Sequence, residues 1–454
     1  MSEWYERVFR RVLYPAYESG LRRRSTLSWL DTYERDQWYS PEALAALQFQ
    51  RLKTLIEHCY REVPYYRRRW RELGILPEDI RSMDDYARLP VLTKADIREN
   101  FDDLQATSWR DRLLFKRTGG STGEPLKLGY THESYERRMA VMWRGYGWAG
   151  SRLGRRTLYL WAGAVGTPGR VHQFKDDVYN TLFARRMLNS FEMTESNLST
   201  YADAIDRYRP AIIVGYVNPL NQLAKWIVET GRKMHRPDAV IGAAEALHPH
   251  QRDTIAKAFG CPVYNTYGCR EFMLIASECA HHHGLHINAD HLALELLDTD
   301  GSRVANGPGE VAITDLSNYG MPFIRYLNGD LATASTAYSC PCGRGLPLLE
   351  RVEGRVLDAI RTPDGRILPG EFFLYMLKDV PGLTRFQLVQ RELHRLELSI
   401  VRGDDFDDAS IAYIRRETAK VLGNEVALDH RFVDDIPLTR SGKHRVTRSE
   451  LTGA

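Results

Sequence analysis

Ala211-Ile-Ile-Val-Gly-Tyr-Val217 runs directly into Asn218-Pro-Leu-Asn-Gln-Leu-Ala-Lys-Trp-Ile-Val-Glu-Thr230. The first piece is a short, continuous apolar run, and the second is helix-like. A run this short with no polar face reads as a strand buried on both sides. The pattern recurs on either side of it. Residues 158–162, 239–243 and 262–267 are further apolar runs, and residues 249–259 form a further helix-like segment between two of them. Such alternation predicts an α/β fold whose sheet is covered on both faces.

Downstream the texture changes. From about residue 286 to 316, Leu292, Leu294 and Leu296 alternate with other residues, as do Val311 and Ile313, which predicts β-structure. The last hundred residues read as a small α+β unit. Residues 386–389 and 393–401 are expected strands flanking Glu392, residues 408–422 a helix and 426–433 a strand. Gly354, Pro363, Gly365 and Pro369 mark residues 353–369 as the linker. Upstream, residues 41–60 read as a helix. Leu44, Leu47, Leu52, Leu55, Ile56 and Cys59 fall near one face, with Ser40 as N-cap and Pro41 in the first turn.

Composition narrows the function. The chain has 454 residues, 43% hydrophobic and 27% charged, which is ordinary for a folded protein. Its 62 Lys and Arg against 59 Asp and Glu leave a formal charge of +3. That gives no polyelectrolyte footprint, so nucleic acid is not an expected partner. No apolar run approaches the roughly 18–20 residues that span a bilayer. The N-terminus lacks the apolar core of a signal peptide, so a cytoplasmic location is expected. Trp4, Tyr5, Phe9, Leu13, Tyr14 and Tyr17 lie among arginines near the N-terminus. An interfacial membrane helix is one reading of them. A helix packed on its own domain is the expected one, because Glu3, Glu6 and Glu18 dilute the basic face.

The first chemical signal is Thr118-Gly119-Gly120-Ser121-Thr122-Gly123-Glu-Pro125. Glycines let backbone N–H groups approach an anion, and hydroxyls add donors, so the loop suits phosphate. It is not a Walker A loop, because no Gly-Lys-Ser/Thr ends it. Four more motifs follow in order: Tyr267-Gly268-Cys-Arg270-Glu271, Tyr326-Leu-Asn-Gly-Asp330, Gly354-Arg355-Val-Leu-Asp358 and Thr439-Arg-Ser-Gly-Lys443.

This ordered set resembles the adenylate-forming superfamily of acyl-CoA synthetases, and specifically its phenylacetate–CoA ligase branch. The resemblance spans about residues 90–450. It implies an α/β fold with a large N-terminal domain of adenylate-forming type, residues 1–356, and a small mobile α+β C-terminal domain, residues 357–454. It implies an ATP-dependent ligase. Ser121, Thr122 and Gly123 would hold the β- and γ-phosphates, with Thr118, Gly119 and Gly120 in the same nucleotide-binding loop. Tyr267, beside Gly268, would stack on adenine, and Glu245 matches an adenine-side segment. Asp330 would accept hydrogen bonds from the ribose hydroxyls, and Arg355 belongs to the same nucleotide site. Glu271 would hold Mg²⁺ and act in catalysis, and Lys443 would bridge the substrate carboxylate and the α-phosphate.

The sequence departs from the family pattern at two places. Arg270 stands where the wider family usually has Thr, and an Arg there would meet phosphate bidentately and with charge. Leu357 takes the first acidic position of the hinge motif, leaving Asp358 as the hinge residue or the backbone of the linker as the pivot. The resemblance implies an aromatic carboxylic acid as substrate and CoA as acceptor, with a carrier-protein thiol as an alternative. An adenylyltransferase acting on a hydroxyl-bearing cofactor and a non-catalytic nucleotide-binding zinc scaffold are the rival classes. Retention of Lys443 and Glu271 argues against the scaffold. Trp143, Tyr146, Trp148, Trp161 and Tyr216 are candidates for the acid pocket, against a plain core role. A homodimer is compatible with the chain.

Six cysteines in a chain this long do not make a disulfide scaffold. Cys279 and the His281-His282-His283 run precede Cys340-Pro-Cys342 by about fifty to sixty residues. Cys and His in two clusters suggest a tetrahedral structural Zn²⁺ held by Cys279, His286, Cys340 and Cys342, with His281, His282 and His283 competing for the histidine place. A His-rich surface loop with free thiols is the alternative.

Overall fold

The computed structural model describes residues 3–451 apart from 118–125, 162–177, 299, 305–306, 338, 356–358, 364–366, 369–372, 374–375, 378–379, 424 and 438–444. Strands β1 (Leu114–Arg117) and β2 (Lys127–Tyr130) form an antiparallel hairpin. An eleven-stranded sheet follows in the chain. It comprises β3 (Thr157–Trp161), β4 (Arg185–Asn189), β5 (Ile212–Tyr216), β6 (Ala239–Ala243), β7 (Val263–Cys269), β8 (Met273–Glu278), β9 (Leu285–Ile287), β10 (Leu292–Leu297), β11 (Pro308–Asp315), β12 (Tyr326–Ala334) and β13 (Leu348–Arg355). Across the sheet the order is β10-β11-β12-β13-β9-β8-β7-β6-β5-β3-β4. The block β4-β3-β5-β6-β7 is parallel, and every pairing from β7 onward through β8 to β10 is antiparallel.

The parallel half is buried on both faces, as its continuous apolar runs predict. Alternate residues of one strand serve opposite cores. Ile213 meets Leu220, Leu223 and Ile255 from the helices Val217–Thr230 and Pro249–Phe259. Its neighbours Ile212 and Val214 meet Tyr33, Ala140 and Val141 from the helices Thr26–Asp36 and His132–Trp148 on the other face. Strand side chains alternate with period two, so a run without polar positions can only be satisfied by two covered faces.

The antiparallel half is covered by the helix Pro41–Glu62, whose Leu52, Leu55, Ile56 and Cys59 pack with Val311, Ile313, Tyr326 and Leu349. Ser40 Oγ accepts from the Ala43 amide at 3.2 Å, and Pro41 occupies the first turn where its missing N–H costs nothing.

The C-terminal residues form strands β14 (Ile360–Arg361) and β15 (Ile367–Leu368), then a four-stranded sheet of β16 (Leu383–Glu392), β17 (Arg395–Arg402), β18 (Ala427–Phe432) and β19 (Thr447–Ser449). Its order is β18-β17-β16-β19, and the helix Asp408–Leu422 packs Ile414 and Leu422 onto Phe386, Leu396 and Leu398. The expected domain boundary at 356/357 and the hinge residue Asp358 lie outside the described residues.

The N-terminal segment is a helix over Glu3–Val8 that continues as π-helical turns over Phe9–Leu13 and Ala16–Leu21. Phe9 and Tyr14 are buried against Phe183, in line with packing on the chain's own domain. No helix among the described residues is long and apolar enough to cross a membrane.

Candidate active site

Open α/β sheets bind ligands beyond the carboxyl ends of their parallel strands. Strand β7 ends there in Tyr267, Gly268 and Cys269, and the chain then turns sharply into β8. Gly268 is required by that turn, because a Cβ on it would lie 2.0 Å from the Met273 carbonyl oxygen. Met273 itself takes a positive φ of 66°. Glu271, inside the turn, is buried and accepts from the Tyr326 hydroxyl at 3.1 Å.

The second motif arrives on β12 and the third on β13, with Asp330 directly opposite Arg355 in the ladder. The Tyr267 hydroxyl donates to Asp330 Oδ2 at 2.9 Å, and Arg355 Nε lies 2.9 Å from Asp330 Oδ1. Asn328 Nδ2 donates both to the Tyr267 hydroxyl and to Asp330 Oδ2, each at 2.8 Å, while its Oδ1 accepts from the Asp330 amide at 3.0 Å. Gly329, with φ 82°, lets the chain fold Asn328 back onto Asp330. The Asp330 charge raises the Arg355 guanidinium above its ordinary range against the cost of burial. Burial, with Asp330 adding to it, pushes the Tyr267 phenol well up, so it stays a donor at neutral pH.

Lys94 joins this group without having been singled out in the sequence. It opens the helix Lys94–Glu99 behind a Thr93–Asp96 capping box, and its Nζ donates to the Asn328 carbonyl at 3.2 Å. Burial and then Arg355 lower its pKa. The capping box was visible as Thr93-Lys-Ala-Asp96, but nothing in those residues says that Leu92 bridges to Tyr326 and so carries Lys94 to β12. Asn328 lies inside the Tyr326-Leu-Asn-Gly-Asp330 motif, two residues from the carboxylate it holds.

Glu245 lies just past β6. Its Oε2 accepts from the Asn218 amide at 2.8 Å, at the start of the helix Val217–Thr230, so it borders the same strand ends but is not bonded to Tyr267 or Asp330. Arg270 is exposed, and its Nε donates to the Arg117 carbonyl at 3.2 Å, at the end of β1. The register Arg117↔Lys127 closes the hairpin on either side of the Gly/Ser/Thr loop. The loop residues Thr118, Gly119, Gly120, Ser121, Thr122 and Gly123 lie outside the described residues, as does Lys443.

Of the five aromatics considered for the acid pocket, Trp161 and Tyr216 stack at the ends of β3 and β5, with ring centroids 4.6 Å apart. The other three serve elsewhere. Trp143 and Tyr146 are buried in the cores, and Trp148 donates to Gln37 and packs edge-on against His286. A separate cavity of about 340 Å³ lies along the helix Pro41–Glu62, lined by His58, Arg61, Trp109 and Tyr319 among others; none of the motif residues lines it.

A second constellation sits where β8, β9 and the turn before β13 meet. One donor atom from each of Cys279, His286, Cys340 and Cys342 lies within 4.8 Å of the others. Cys279 Sγ is 3.6 Å from Cys340 Sγ, and Cys342 Sγ is 3.4 Å from His286 Nε2. Those separations match the edges of a tetrahedron with metal–ligand bonds of about 2.0–2.3 Å. His282 instead pairs with Glu278 at 3.1 Å, and His281 and His283 are exposed. The histidine place therefore falls to His286. All of these thiols are free of disulfides.

Similarity to known proteins runs along most of the chain. The CapK C-terminal domain family matches residues 360–450. A phenylacetate–coenzyme A ligase of Thermus thermophilus is 28% identical over 412 residues, covering 86% of this chain and 87% of that protein. One from Escherichia coli is 26% identical, covering 80% and 82%. Among solved structures, a 2-hydroxyisobutyryl-CoA ligase in the postadenylation state superposes with a TM-score of 0.71 at 19% identity, covering 92% of both chains, which establishes the shared fold. The chain is therefore similar in sequence to phenylacetate–CoA ligases over most of its length, and it shares its fold with a 2-hydroxyisobutyryl-CoA ligase.

Proposed function

We propose that the chain is an AMP-forming ligase that activates a carboxylic acid of the aromatic class with ATP and passes the acyl group to CoA. In the first half-reaction a carboxylate oxygen attacks the α-phosphorus. A new O–P bond forms, and pyrophosphate leaves with the electrons of the broken P–O bond. In the second, the CoA thiol gives up its proton and attacks the acyl carbon. The C–S bond forms and AMP leaves. Both steps gather anions, so the site needs cations and fixed donors rather than a new nucleophile.

The observation that carries this reading is the single bonded group of Tyr267, Asp330 and Arg355, assembled from three motifs on three strands. In the nucleotide complex Asp330 would share its carboxylate with the ribose hydroxyls, its oxygens already fixed by Asn328 and Arg355. Tyr267 would present its ring to adenine and Glu245 would border it. Glu271 would take Mg²⁺ together with phosphate oxygens. The Gly/Ser/Thr loop would hold the β- and γ-phosphates between the ends of the β1–β2 hairpin, with Arg270 at its entrance. Lys443 is assigned by its motif alone, as the mobile cation that the 357–454 domain swings in about Asp358 or the adjoining backbone. Trp161 and Tyr216 are the best candidates to line the acid pocket.

Cys279, His286, Cys340 and Cys342 would hold one structural Zn²⁺. Four protein donors leave no open position, so the metal would tie β8, β9 and the turn before β13 together without touching the chemistry. Three reduced thiols and a need for ATP and CoA fit a cytoplasmic location.

The test is acid-dependent release of AMP, with CoA, a carrier protein or no acceptor supplied in parallel. Turnover with an aromatic acid that requires CoA and yields its thioester supports the reading. Nucleotide transfer to a hydroxyl compound with no thioester formed would replace it with the adenylyltransferase class.

A further inference from the structure

The N-terminal segment does more than pack. Between Trp4 and Arg24 the sequence holds six arginines and two glutamates. Of the three glutamates that dilute a basic face in the sequence, Glu3, Glu6 and Glu18, the last is turned inward. It is buried, accepts from Thr26 Oγ1 at 2.7 Å and lies 3.7 Å from Arg24. Glu6 is only half-exposed, whereas Arg7, Arg10, Arg11, Arg22 and Arg23 all face outward. Among them stand large apolar side chains in solvent: Trp4 is 66% exposed, Val12 56% and Leu21 75%.

The face extends beyond the segment. Residues 178–183 lie against it, with the Tyr5 hydroxyl on the Leu182 carbonyl at 2.6 Å and Tyr17 against Tyr179. They add exposed Val178 and Leu182. Phe9 and Tyr14 pin the segment to Phe183, so this outer face is held in place rather than free to fold inward.

Exposed apolar side chains are interleaved with arginines whose long stems can lie along apolar matter while their heads reach phosphate. A tryptophan at the rim has the amphipathic character that favours a headgroup layer. A second copy of the chain is a poor occupant, because a two-fold contact would set the same arginines against each other. We propose that the face formed by residues 4–23 with Val178 and Leu182 docks the protein on the surface of an anionic phospholipid bilayer. The apolar residues enter the headgroup boundary and the arginines bind lipid phosphates, holding the chain at the membrane. The proposal does not depend on the chemistry of the ATP site.

Co-sedimentation of the full chain with phosphatidylglycerol-containing vesicles, and with pure phosphatidylcholine vesicles, tests it. The expected result is binding to the anionic vesicles that weakens with salt and is at least about tenfold weaker on phosphatidylcholine. R10E/R11E and, separately, W4S/L21S should each weaken it by at least about tenfold. R395E/R448E, an equal charge change on the C-terminal sheet, should leave it unaltered. Thermal melts check that each variant is folded, and R22E/R23E replaces R10E/R11E if that pair fails to fold. Wild-type protein that stays in the supernatant overturns the proposal. So does binding unchanged in both surface variants. A dimer seen by light scattering without lipid, and dissolved by W4S/L21S, would assign the face to a second copy instead.

Discussion

The hydroxyl of Tyr267 donates to Asp330 Oδ2 at 2.9 Å, joining the end of a parallel strand to an antiparallel strand 63 residues further along the chain. Arg355 holds the other oxygen of the same carboxylate, so three motifs share one anion. A carboxylate fixed on both sides is preorganised to accept further donors without moving, which is what a ribose needs.

Removing that carboxylate should therefore be costly twice over. Asp330→Ala is expected to raise KM for ATP by at least about tenfold, or about 1.4 kcal/mol, through lost ribose contacts. It should also lower the melting temperature, because Arg355 and Tyr267 lose their shared partner. Steady-state kinetics and a thermal melt check both. Unchanged KM for ATP would place the nucleotide elsewhere.

The parallel half of this frame was legible because burial on both faces leaves an apolar run that nothing else explains. Strands β5, β6 and β7 fall within two residues of residues 211–217, 239–243 and 262–267. The helix Asp408–Leu422 was equally clear, since Asp407 caps it and Gly423 ends it. What stayed hidden depends on partners distant in sequence. Strand β19 is three residues long and exists only by pairing in parallel with β16, where Leu388 faces Thr447. Lys94 reaches the site through a single bridge from Leu92 to Tyr326. The Cys and His residues were visible as candidates, but the choice of His286 over its neighbours follows from the pairing of β9 with β13, Leu348 opposite His286, which no local pattern encodes. The inward turn of Glu18 likewise follows from Thr26 and Arg24 beneath it rather than from its own surroundings in sequence.

Acid should destabilise the fold through His291. Burial holds its pKa down at about 4 from 6.5, with its Nδ1 facing the Tyr33 hydroxyl at 3.0 Å. Below about pH 6.5 the unfolded chain takes up a proton that the folded chain refuses until about pH 4. Stability from this residue is thus present at pH 7 and falls as pH drops through that window, by about 2 kcal/mol at pH 5. Urea unfolding at pH 7 and pH 5 should show a loss of that order in the wild type and a smaller one in His291→Gln. Identical losses in both proteins would remove His291 as the cause.

Metal removal should act on stability and not on the reaction. Protein purified without added metal is expected to contain one zinc per chain by elemental analysis, and a strong chelator should lower its melting temperature. Cys340→Ser and Cys342→Ser should lose zinc and thermal stability together, while the kcat of the folded fraction changes by less than about threefold. Full zinc content in both variants would contradict the four-donor site.

Lys443 should separate the two half-reactions. Lys443→Ala is expected to slow adenylate formation by at least about a hundredfold, equivalent to about 2.7 kcal/mol. Thioester formation from a supplied acyl-adenylate should be affected far less, because the 357–454 domain would by then have rotated away. Equal losses in the two steps would remove the assignment.

The central claim is that a carboxylic acid is joined to AMP before any acceptor is needed, and exchange of labelled pyrophosphate into ATP measures that step directly. With Mg²⁺ and a panel of aromatic and arylalkyl acids, exchange should appear only when an acid is present, should proceed without CoA, and should be lost in Lys443→Ala. A folded, ATP-binding protein that shows no exchange with any acid, or that splits ATP to ADP and phosphate, would contradict it.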